Sequence, residues 1–506
     1  MVVKIFSAAT VGLDVFRIDI EVDITNSLPQ IAIIGLGDTA ISEARERLKL
    51  AIKNSGFEFP STKVVINLAP ADLKKEGAAY DLGMAVGILT KEGIIKEEPK
   101  NTAFIGELSL DGSIKPVHGV LPIVFGLKNI GINKVIIPYE NLKEASFADD
   151  IKVLGAKNLN EVVLHLNDNE PLDTIKQNID DFITSNKEYT ADFKYIKGQK
   201  FAKRALEIAA AGAHNVLMSG SPGSGKTLLA HAFPSILPPL TKEEAIEITK
   251  IYSIAGLLDY NNPLISERPI RTPHHSASAV GIIGGGSNPK PGEITLAHRG
   301  VLFLDEMPEF PRAVLEVLRQ PVEDNEVTIS RAQMSIKYPA NFILLGAMNP
   351  CPCGYLGDKK IDCKCSEFQI NRYRNKLSGP LLDRIDIHID VARLEANELL
   401  GQEEDIESSA DVRKRVAQAR EIQFKRYKED GIFTNSELNP KLIKKYCKLT
   451  PDVNIMLKNA LKMFNLSARG YDRILKISRT IADLDNSPDI LTSHLAQALQ
   501  FRGYNV

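Results

Sequence analysis

One loop of the sequence combines glycines with a lysine and a threonine at the spacing of the phosphate-binding P-loop, G-x-x-x-x-G-K-[ST]. Backbone N–H groups of such a loop cradle phosphates, and the dipole of the following helix favours their charge. Lys226 would reach the β- and γ-phosphates of ATP, and Thr227 would bind Mg²⁺. The alternative is a plain glycine turn before a helix. The predicted nucleotide-binding residues are Gly220, Ser221, Pro222, Gly223, Ser224, Gly225, Lys226 and Thr227.

Two acids follow another apolar stretch, Val301–Leu304, which has the composition of a buried strand. This is the Walker B arrangement, in which Asp305 would hold Mg²⁺ and Glu306 would polarise the attacking water. Taken alone, the segment is also compatible with an ordinary strand that has a polar end. The two motifs together predict ATP binding and hydrolysis with Mg²⁺.

Further motifs follow in order along the chain. The apolar stretch 341–348 ends at Asn349, where a polar side chain can orient the water that attacks the γ-phosphate. The chain resembles the AAA+ ATPases of the magnesium-chelatase/MCM branch. It is most similar to the ComM/YifB family of magnesium-chelatase-like bacterial proteins, over nearly its whole length. The segments that carry the resemblance are GSPGSGKT, RPIRTPHHSAS, HRGVLFLDEMPEF, AMNPCPCG, SGPLLDRID and LSARGYDRILKISRTIADL.

The resemblance implies roles for residues outside the two nucleotide motifs. Asn349 corresponds to sensor 1, and Arg469 corresponds to sensor 2 of the helical lid, with Arg473 as the competing candidate. Arg384 corresponds to the arginine finger, which acts on the ATP of a neighbouring subunit. The alternative for Arg384 is a structural salt bridge to one of the adjacent aspartates. A finger that acts between subunits implies a homo-oligomer, and the family implies a hexamer.

DNA contacts are expected from an insert that precedes sensor 1. The segment Val327–Lys337 has the pattern of a β-hairpin, and Arg331 and Lys337 are placed to touch a phosphate backbone. For either residue, packing of the hairpin against its neighbour is an equally good interpretation. DNA is therefore an expected partner, and these two cations are candidate contacts.

Four of the five cysteines fall within one short window: Cys351, Cys353, Cys363 and Cys365. Four thiolates can close a tetrahedral zinc site. The C-x-C spacing is shorter than the usual C-x₂₋₄-C, so four free thiols in a loop are the alternative. We predict structural zinc, because four protein ligands leave no position for water.

The N-terminal region resembles the Lon protease domain, through segments around 65–82 and 114–138. A Lon-type protease needs a serine nucleophile and a lysine base. Ala79 stands where the family has the serine, and Val120–Ile123 supplies no amine near the expected lysine. The sequence therefore predicts a Lon-like fold without peptidase activity.

The alternation of strand and helix patterns predicts an α/β protein in several parts. A Lon-like α/β domain precedes a polar linker, an AAA+ core with a parallel sheet and the cysteine loop, a charged helical insert, and a helical lid. The expected boundaries are 1–166, 167–192, 193–395, 396–439 and 440–506.

Composition limits the function classes. The chain has 506 residues, 44% hydrophobic and 25% charged, which is typical of globular domains. A formal net charge of −2 gives no overall basic field, so any DNA binding must come from local cations. No apolar run is long enough for a membrane span, and the N-terminus is a poor signal peptide, so we expect a cytoplasmic protein. The leading hypothesis is a DNA motor for helicase or branch-migration work. The alternatives are a magnesium-chelatase-type ATPase subunit and a protein-remodelling ATPase.

Overall fold

The computed structural model describes residues 2–501 apart from 74, 76, 184–190, 287–288, 332–333, 359, 395–406 and 464–466; the side chains at 38–39, 331 and 334 also lie outside the description. The chain forms two compact units. The first contains Met1–Thr184 and Lys242–Ser266, and the second contains Ser185–Thr241 and Glu267–Val506.

The first unit is a mixed α/β structure built on a single large sheet. Its elements up to residue 184 are β1 (Val3–Val11), β2 (Asp14–Thr25), β3 (Gln30–Ile34), α1 (Asp38–Asn54), β4 (Lys63–Ala69), α2 (Asp81–Lys91), β5 (Thr102–Phe104), β6 (Glu107–Leu108), β7 (Ile114–Lys115), α3 (Val120–Leu127), β8 (Lys134–Pro138), α4 (Leu142–Ala145), β9 (Lys152–Ala156), α5 (Leu159–Leu166) and α6 (Ile179–Ile183). The strand order is β3-β4-β2-β1-β5-β8-β9. Alternate residues of β2, namely Ile18, Ile20 and Val22, are fully buried, as the alternating sequence pattern predicts.

The second unit contains the nucleotide motifs and the C-terminal helices. Its elements, with one helix that packs in the first unit, are α7 (Lys200–Gly212), β10 (Val216–Ser219), α8 (Lys226–Ala232), α9 (Lys242–Ala255, first unit), β11 (Ile270–Arg271), α10 (Ala279–Ile283), β12 (Gly284–Gly285), β13 (Lys290–Pro291), α11 (Glu293–Leu296), β14 (Val301–Leu304), α12 (Arg312–Val317), α13 (Arg319–Asp324), β15 (Glu326–Arg331), β16 (Met334–Pro339), β17 (Ile343–Met348), α14 (Glu367–Arg374), α15 (Gly379–Leu382), β18 (Ile387–Asp390), α16 (Ser409–Tyr427), α17 (Pro440–Tyr446), α18 (Pro451–Met463), α19 (Ala468–Leu484) and α20 (Thr492–Gln500).

A five-stranded sheet in the order β11-β14-β17-β10-β18 forms the centre of the second unit. All neighbouring strands in it are parallel. Parallel strands are covered on both faces, and every residue of β17 is accordingly buried. Because all strands run the same way, the loops after β10, β14 and β17 emerge at one edge of the sheet. The predicted parallel-sheet fold is confirmed, and that edge carries the candidate site.

The helices after the sheet bury the apolar stripes that the sequence pattern predicts. The buried members are Val412, Val416 and Ala419 of α16, and Ile474, Ile477 and Ile481 of α19. Of two neighbouring serines that could cap α16, Ser408 does so, through a capping box with Asp411. Ser409 is instead buried, where its hydroxyl accepts a hydrogen bond from the backbone N–H of Phe193 (2.8 Å). The residues 396–406 of the expected charged insert lie outside the described residues.

A segment from the middle of the nucleotide-binding sequence, Lys242–Ser266, packs in the first unit. The expected core, 193–395, is therefore interrupted in space. The backbone N–H of Gly119 donates to the carbonyl of Ser253 (3.1 Å) at the start of α3. The ammonium of Lys250 lies over the ring of Phe125, 4.3 Å from its centroid. We call this stretch the inserted segment.

Part of the expected linker, 167–192, is packed against the first unit. Leu172 is buried, and the backbone N–H of Gly155 donates to the carbonyl of Asp173 (2.9 Å). Residues 184–190 of this stretch lie outside the description. Across the part of the chain that is described, no helix has the length and hydropathy needed to cross a bilayer.

Candidate active site

The P-loop connects β10 to α8, which is the strand–loop–helix context that the motif requires. Gly225 has φ of 96°, in the left-handed region that favours glycine. A Cβ on Gly220 would lie 2.3 Å from the carbonyl oxygen of Val391, so that position has no room for a side chain. The loop backbone therefore needs glycine at both positions.

The Lys226 side chain is directed back over the P-loop. Its ammonium donates to the carbonyl oxygens of Gly220 (2.6 Å) and Ser221 (3.1 Å) and to Oδ1 of Asn349 (3.3 Å). Burial lowers the pKa of Lys226, and the charges of Asp305 and Glu306 act against that shift. The structure thus brings the P-loop lysine and the sensor 1 candidate together.

The candidate magnesium ligands also meet. The hydroxyl of Thr227 donates to Oδ2 of Asp305 (2.9 Å), and the backbone N–H of Glu306 donates to Oδ1 (2.9 Å). A hydroxyl and a carboxylate are hard oxygen ligands of the kind that Mg²⁺ prefers. The two residues therefore fit a magnesium ion.

Glu306 stands in an unusual backbone conformation, with φ of 48°. Non-glycine residues in the left-handed region are uncommon and concentrate at functional sites. The imidazole Nδ1 of His275 lies 3.9 Å from its carboxylate. His275 also packs on the ring of His274, with centroids 4.0 Å apart. The sequence motifs assign His275 no role in hydrolysis. The sequence feature that could have drawn attention to it is its place in the RPIRTPHHSAS segment.

Both candidate arginines contact one carboxylate, that of Glu323 at the end of α13. A guanidinium nitrogen of Arg384 hydrogen-bonds to Oε2 of Glu323, and a second nitrogen donates to the carbonyl of Pro380 (2.7 Å). Arg469 at the start of α19 lies 3.7 Å from Oε1 of the same residue. Sequence reasoning missed Glu323, because nothing in the motif spacing links α13 to the two arginines. The salt bridge of Arg384 is thus made to Glu323, and not to the aspartates beside it in sequence.

Arg473, the other candidate for sensor 2, is held elsewhere. Its Nε lies 3.2 Å from Oδ1 of Asp386, and both side chains are nearly buried. Arg469 is 56% exposed, so it can reach a ligand without breaking a buried pair. Of the two candidates for sensor 2, Arg473 thus lies in a nearly buried ion pair and Arg469 in an exposed one.

The four clustered cysteines come together in the loop after Asn349. All four sulfur atoms lie within 4.8 Å of one another, and three of the S···S distances are 3.4 Å, 3.6 Å and 3.6 Å. Tetrahedral zinc with Zn–S of about 2.3 Å places its sulfurs about 3.8 Å apart. Hydrogen bonds from the backbone of Tyr355 and Lys364 lower the pKa of Cys353 to about 6, which favours a thiolate. Against a hydrogen bond from the backbone of Cys365, burial and the neighbouring thiols raise the pKa of Cys363 to about 12, so the case for a metal rests on the distances between the sulfurs. The cluster fits a metal ion.

The cysteine loop packs directly on the P-loop. A Cβ on Gly354, whose φ is 85°, would lie 2.7 Å from the ring of Pro222. Hydrogen bonds from the backbone of Lys360 and from the hydroxyl of Ser221 lower the pKa of Asp358. The loop that holds the cysteines is therefore one wall of the phosphate-binding site.

The predicted hairpin is present, with β15 paired antiparallel to β16. Lys337 is exposed and donates to Oε1 of Glu326 on the facing strand (2.7 Å). The side chain of Arg331 lies outside the described residues. Of the two predicted DNA contacts, Lys337 is thus accessible but already paired with an acid.

The Lon-like positions carry no serine–lysine pair in the sequence, and the structure shows what surrounds them. The carbonyl of Ala79 accepts from the backbone N–H of Gly106 (2.9 Å). Leu121, in the stretch without an amine, donates its backbone N–H to the buried carboxylate of Glu144 (2.9 Å). That carboxylate also accepts from the hydroxyl of Ser253 in the inserted segment. Lack of peptidase activity remains a prediction.

A P-loop, two Walker B acids and a polar strand end at one edge of a parallel sheet, with a helical C-terminal region, define an ATPase of the AAA+ class. Family models described as "Subunit ChlI of Mg-chelatase", "Magnesium chelatase, subunit ChlI" and "Magnesium chelatase, subunit ChlI C-terminal" match residues 20–141, 192–399 and 406–502. The chain belongs to the ComM/YifB family of magnesium-chelatase-like proteins.

Relatives match the chain along almost its whole length. "Competence protein ComM" of Haemophilus influenzae is 43% identical over 505 residues, covering 98% of this chain and 97% of that protein. "Uncharacterized protein YifB" of Escherichia coli is 39% identical over 500 residues, covering 98% of this chain and 96% of that protein. "Lon protease 2" of Bacillus subtilis is 34% identical over 131 residues, covering 25% and 23%. The last match agrees with the Lon-like similarity at the N-terminus.

Proposed function

We propose that the chain is an ATP-hydrolysing motor that works as a homo-oligomeric ring, a hexamer, in the cytoplasm, and that it acts on DNA. One observation supports an active site that is shared between two subunits. Arg384 and Arg469 gather on Glu323, whereas Lys226 contacts the P-loop and Asn349. Arginines held on a carboxylate, and not on the P-loop of their own chain, fit a site that a neighbouring subunit completes.

In the proposed reaction each side chain has a separate task. Lys226 binds the β- and γ-phosphates, Glu306 polarises the attacking water, and Asn349 orients that water. Thr227 and Asp305 would hold Mg²⁺, which neutralises phosphate charge when bound. Such phosphoryl transfer depends on positioning and electrostatics, which explains the fixed contacts between these groups.

Arg384 would stabilise the γ-phosphoryl group of the neighbouring subunit. A guanidinium spreads over several phosphate oxygens, and arginine fingers raise turnover by roughly 10³–10⁵ in other NTPases. Arg469 would add a second cation to the same phosphates. The shared carboxylate of Glu323 keeps both cations together on one surface.

Zinc is proposed as a structural ion of Cys351, Cys353, Cys363 and Cys365. Four thiolate ligands close the coordination sphere, so the ion has no catalytic position. It would fix the loop that packs on Pro222 and Ser221 of the P-loop.

Action on DNA is the part of the proposal that the active site itself does not specify. The near full-length match to a protein printed as a competence protein supports work on DNA in natural transformation or recombination, by helicase or branch-migration activity. A second candidate, an ATPase subunit of magnesium-chelatase type, is favoured by the descriptions of the matching family models. The Lon-like similarity favours a third, a protein-remodelling ATPase.

The test measures ATP hydrolysis with and without forked DNA, for the wild type and for Lys226→Ala and Arg384→Ala. DNA should stimulate the wild type, and each variant should be inactive alone. Mixing the two variants should restore part of the activity, because one can supply the arginine and the other the P-loop. Absence of DNA binding at low salt would refute the DNA function, since phosphate contacts are strongest there. Absence of rescue in mixed rings would refute the trans arginine.

A further inference from the structure

The helix after the cysteine loop presents an exposed aromatic ring beside cations. In α14 Tyr373 is the buried residue, and Phe368 is 75% exposed. Arg372 follows Phe368 by four residues, so the two side chains lie on one face of the helix. Single exposed apolar side chains are common on protein surfaces, so it is the combination of this ring with neighbouring cations that suggests a ligand.

A cleft of about 300 Å³ lies beside this face. Arg312, Arg372 and Lys376 line it, together with Glu309. Lys376 is paired with Glu309 at 3.0 Å. Across the described part of the chain, Arg312 and Arg372 make no hydrogen bond and no ion pair through their side chains. The charge of Arg312 is felt by Glu316 one turn further along α12. The cleft thus has three cations and the one carboxylate of Glu309 among its lining residues.

The size of the cleft suits a phosphate group with part of its sugar. At about 300 Å³ the cleft reaches the lower end of the range of small-molecule sites, about 300–1,000 Å³. The guanidinium group matches the geometry of phosphate oxygens in a bidentate manner. An aromatic ring next to such cations is the combination that binds single-stranded nucleic acid, in which bases stack on rings while phosphates meet the cations.

The N-terminal end of α14 is held by the residues that precede and begin the helix. Cys365, the last ligand candidate of the cysteine cluster, directly precedes the N-cap residue Ser366. Ser366 and Gln369 form a capping box, with hydrogen bonds of 3.3 Å and 3.0 Å. A capped helix that follows a four-cysteine cluster is held in a defined position, as a binding face requires.

We propose that the α14 face, defined by Phe368 and Arg372, together with Arg312 of α12 across the cleft, binds single-stranded DNA. The guanidinium groups bind successive phosphates, and a base stacks on the ring of Phe368. This inference rests on the proposed action on DNA and names a contact surface for it. Lys337 of the hairpin is a weaker candidate, because Glu326 already pairs with it.

The experiment measures the affinity of the full-length protein for a labelled oligothymidine by fluorescence anisotropy, over a series of salt concentrations. The test variant carries Phe368→Ala and Arg372→Ala. The control carries Phe424→Ala and Lys428→Ala, which remove another exposed aromatic residue and a cation at the same spacing, beginning on α16. A third variant, Phe368→Tyr with Arg372→Lys, keeps a ring and a charge. Thermal unfolding and light scattering verify the fold and the oligomeric mass of each protein.

We expect the test variant to bind at least roughly tenfold more weakly, since removal of one stacked base alone has about that effect. Its slope of log affinity against log salt should become shallower by about 0.7 for each phosphate that the protein no longer neutralises. The control should bind as the wild type does, and the conservative variant should recover most of the affinity.

Three results would overturn the inference, and they differ in meaning. If the wild type binds DNA and the test variant binds equally well, the face is not a DNA contact, although the proposed function stands. If the wild type binds no DNA at low salt, the proposed function fails as well. If the test variant loses DNA binding only together with its oligomeric mass, the face is an interface between copies of the chain.

Discussion

Asp386, near the end of the SGPLLDRID segment, offers a direct test of how the helical lid is attached to the sheet. Its carboxylate contacts the guanidinium of Arg473 on α19 at 3.2 Å and accepts from the backbone N–H of Asn215 at 3.1 Å. His214 Nδ1 lies 3.6 Å away. The perturbation is Asp386→Asn, which preserves the size of the side chain and removes its charge.

The expected cost follows from the burial of the pair. Arg473 and Asp386 side chains are 12% and 11% exposed, so the substitution removes a negative charge that contacts the Arg473 guanidinium in a nearly dry place. Removal of one partner from a buried ion pair typically costs about 3–5 kcal/mol. The free energy of unfolding of the transition that includes α19 should fall by about that amount, measured by denaturant titration.

Asp383 in the same segment provides the matched control. It is half-buried, and its side chain makes no ion pair with any residue that the structure describes. Asp383→Asn should change the free energy of unfolding by less than about 0.5 kcal/mol. A decrease below about 1 kcal/mol for Asp386→Asn, or equal decreases for both variants, would refute the reasoning.

The pH dependence gives a second test of the same pair. Burial alone would raise the pKa of Asp386, but its contacts with His214 and Arg473 hold that pKa well below the usual range. The unfolded value is about 3.9. A depressed folded pKa stabilises the protein above about pH 4, and this stability is lost as the pH falls further. The acid loss of stability should therefore be shallower in Asp386→Asn than in the wild type, as measured by unfolding midpoints across pH.

Three further predictions concern other parts of the molecule. Glu323→Ala should change the free energy of unfolding by less than about 1 kcal/mol, because the ion pairs of Glu323 with Arg384 and Arg469 are partly exposed. ATP turnover should fall about three- to tenfold, because the two arginines are no longer held in place. An unchanged kcat would contradict this. Cys363→Ser should remove zinc from the purified protein by elemental analysis and weaken ATP binding measured with a fluorescent analogue; a wild type without zinc would refute the site. Glu144→Ala should expose the inserted segment, Lys242–Ser266, to faster amide hydrogen exchange, because buried donors lose their acceptor at a cost of about 1–3 kcal/mol each; unaltered exchange there would argue against this anchoring role.

Local sequence determined the chemical groups of the site. The P-loop, the Walker B acids and Asn349 each follow an apolar strand, and parallel strands end at one edge of a sheet. The parallel sheet therefore brings Lys226 to Asn349 and Thr227 to Asp305. These contacts could be expected from the sequence, because each motif follows a strand. The grouping of four cysteines followed in the same way, since they lie within one short loop.

Tertiary structure alone decided the contacts between distant segments. Glu323 meets Arg384 and Arg469 because the fold brings together three segments that are distant in sequence, and no local pattern encodes that proximity. Likewise, the buried ion pair of Arg473 with Asp386 joins residues that are distant in sequence.

The inserted segment shows most clearly which features follow from local sequence and which from tertiary structure. The sequence of its helix α9 is amphipathic, so one face of the helix must be buried. The sequence does not identify the surface that covers this face. Hydrophobic burial is not directional, so the choice of surface came from hydrogen bonds such as those of Ser253 with Glu144 and Gly119. The sequence by itself therefore determined which groups are candidates to bind and cleave a nucleotide, and the fold decided which carboxylates, loops and helices hold those groups in place.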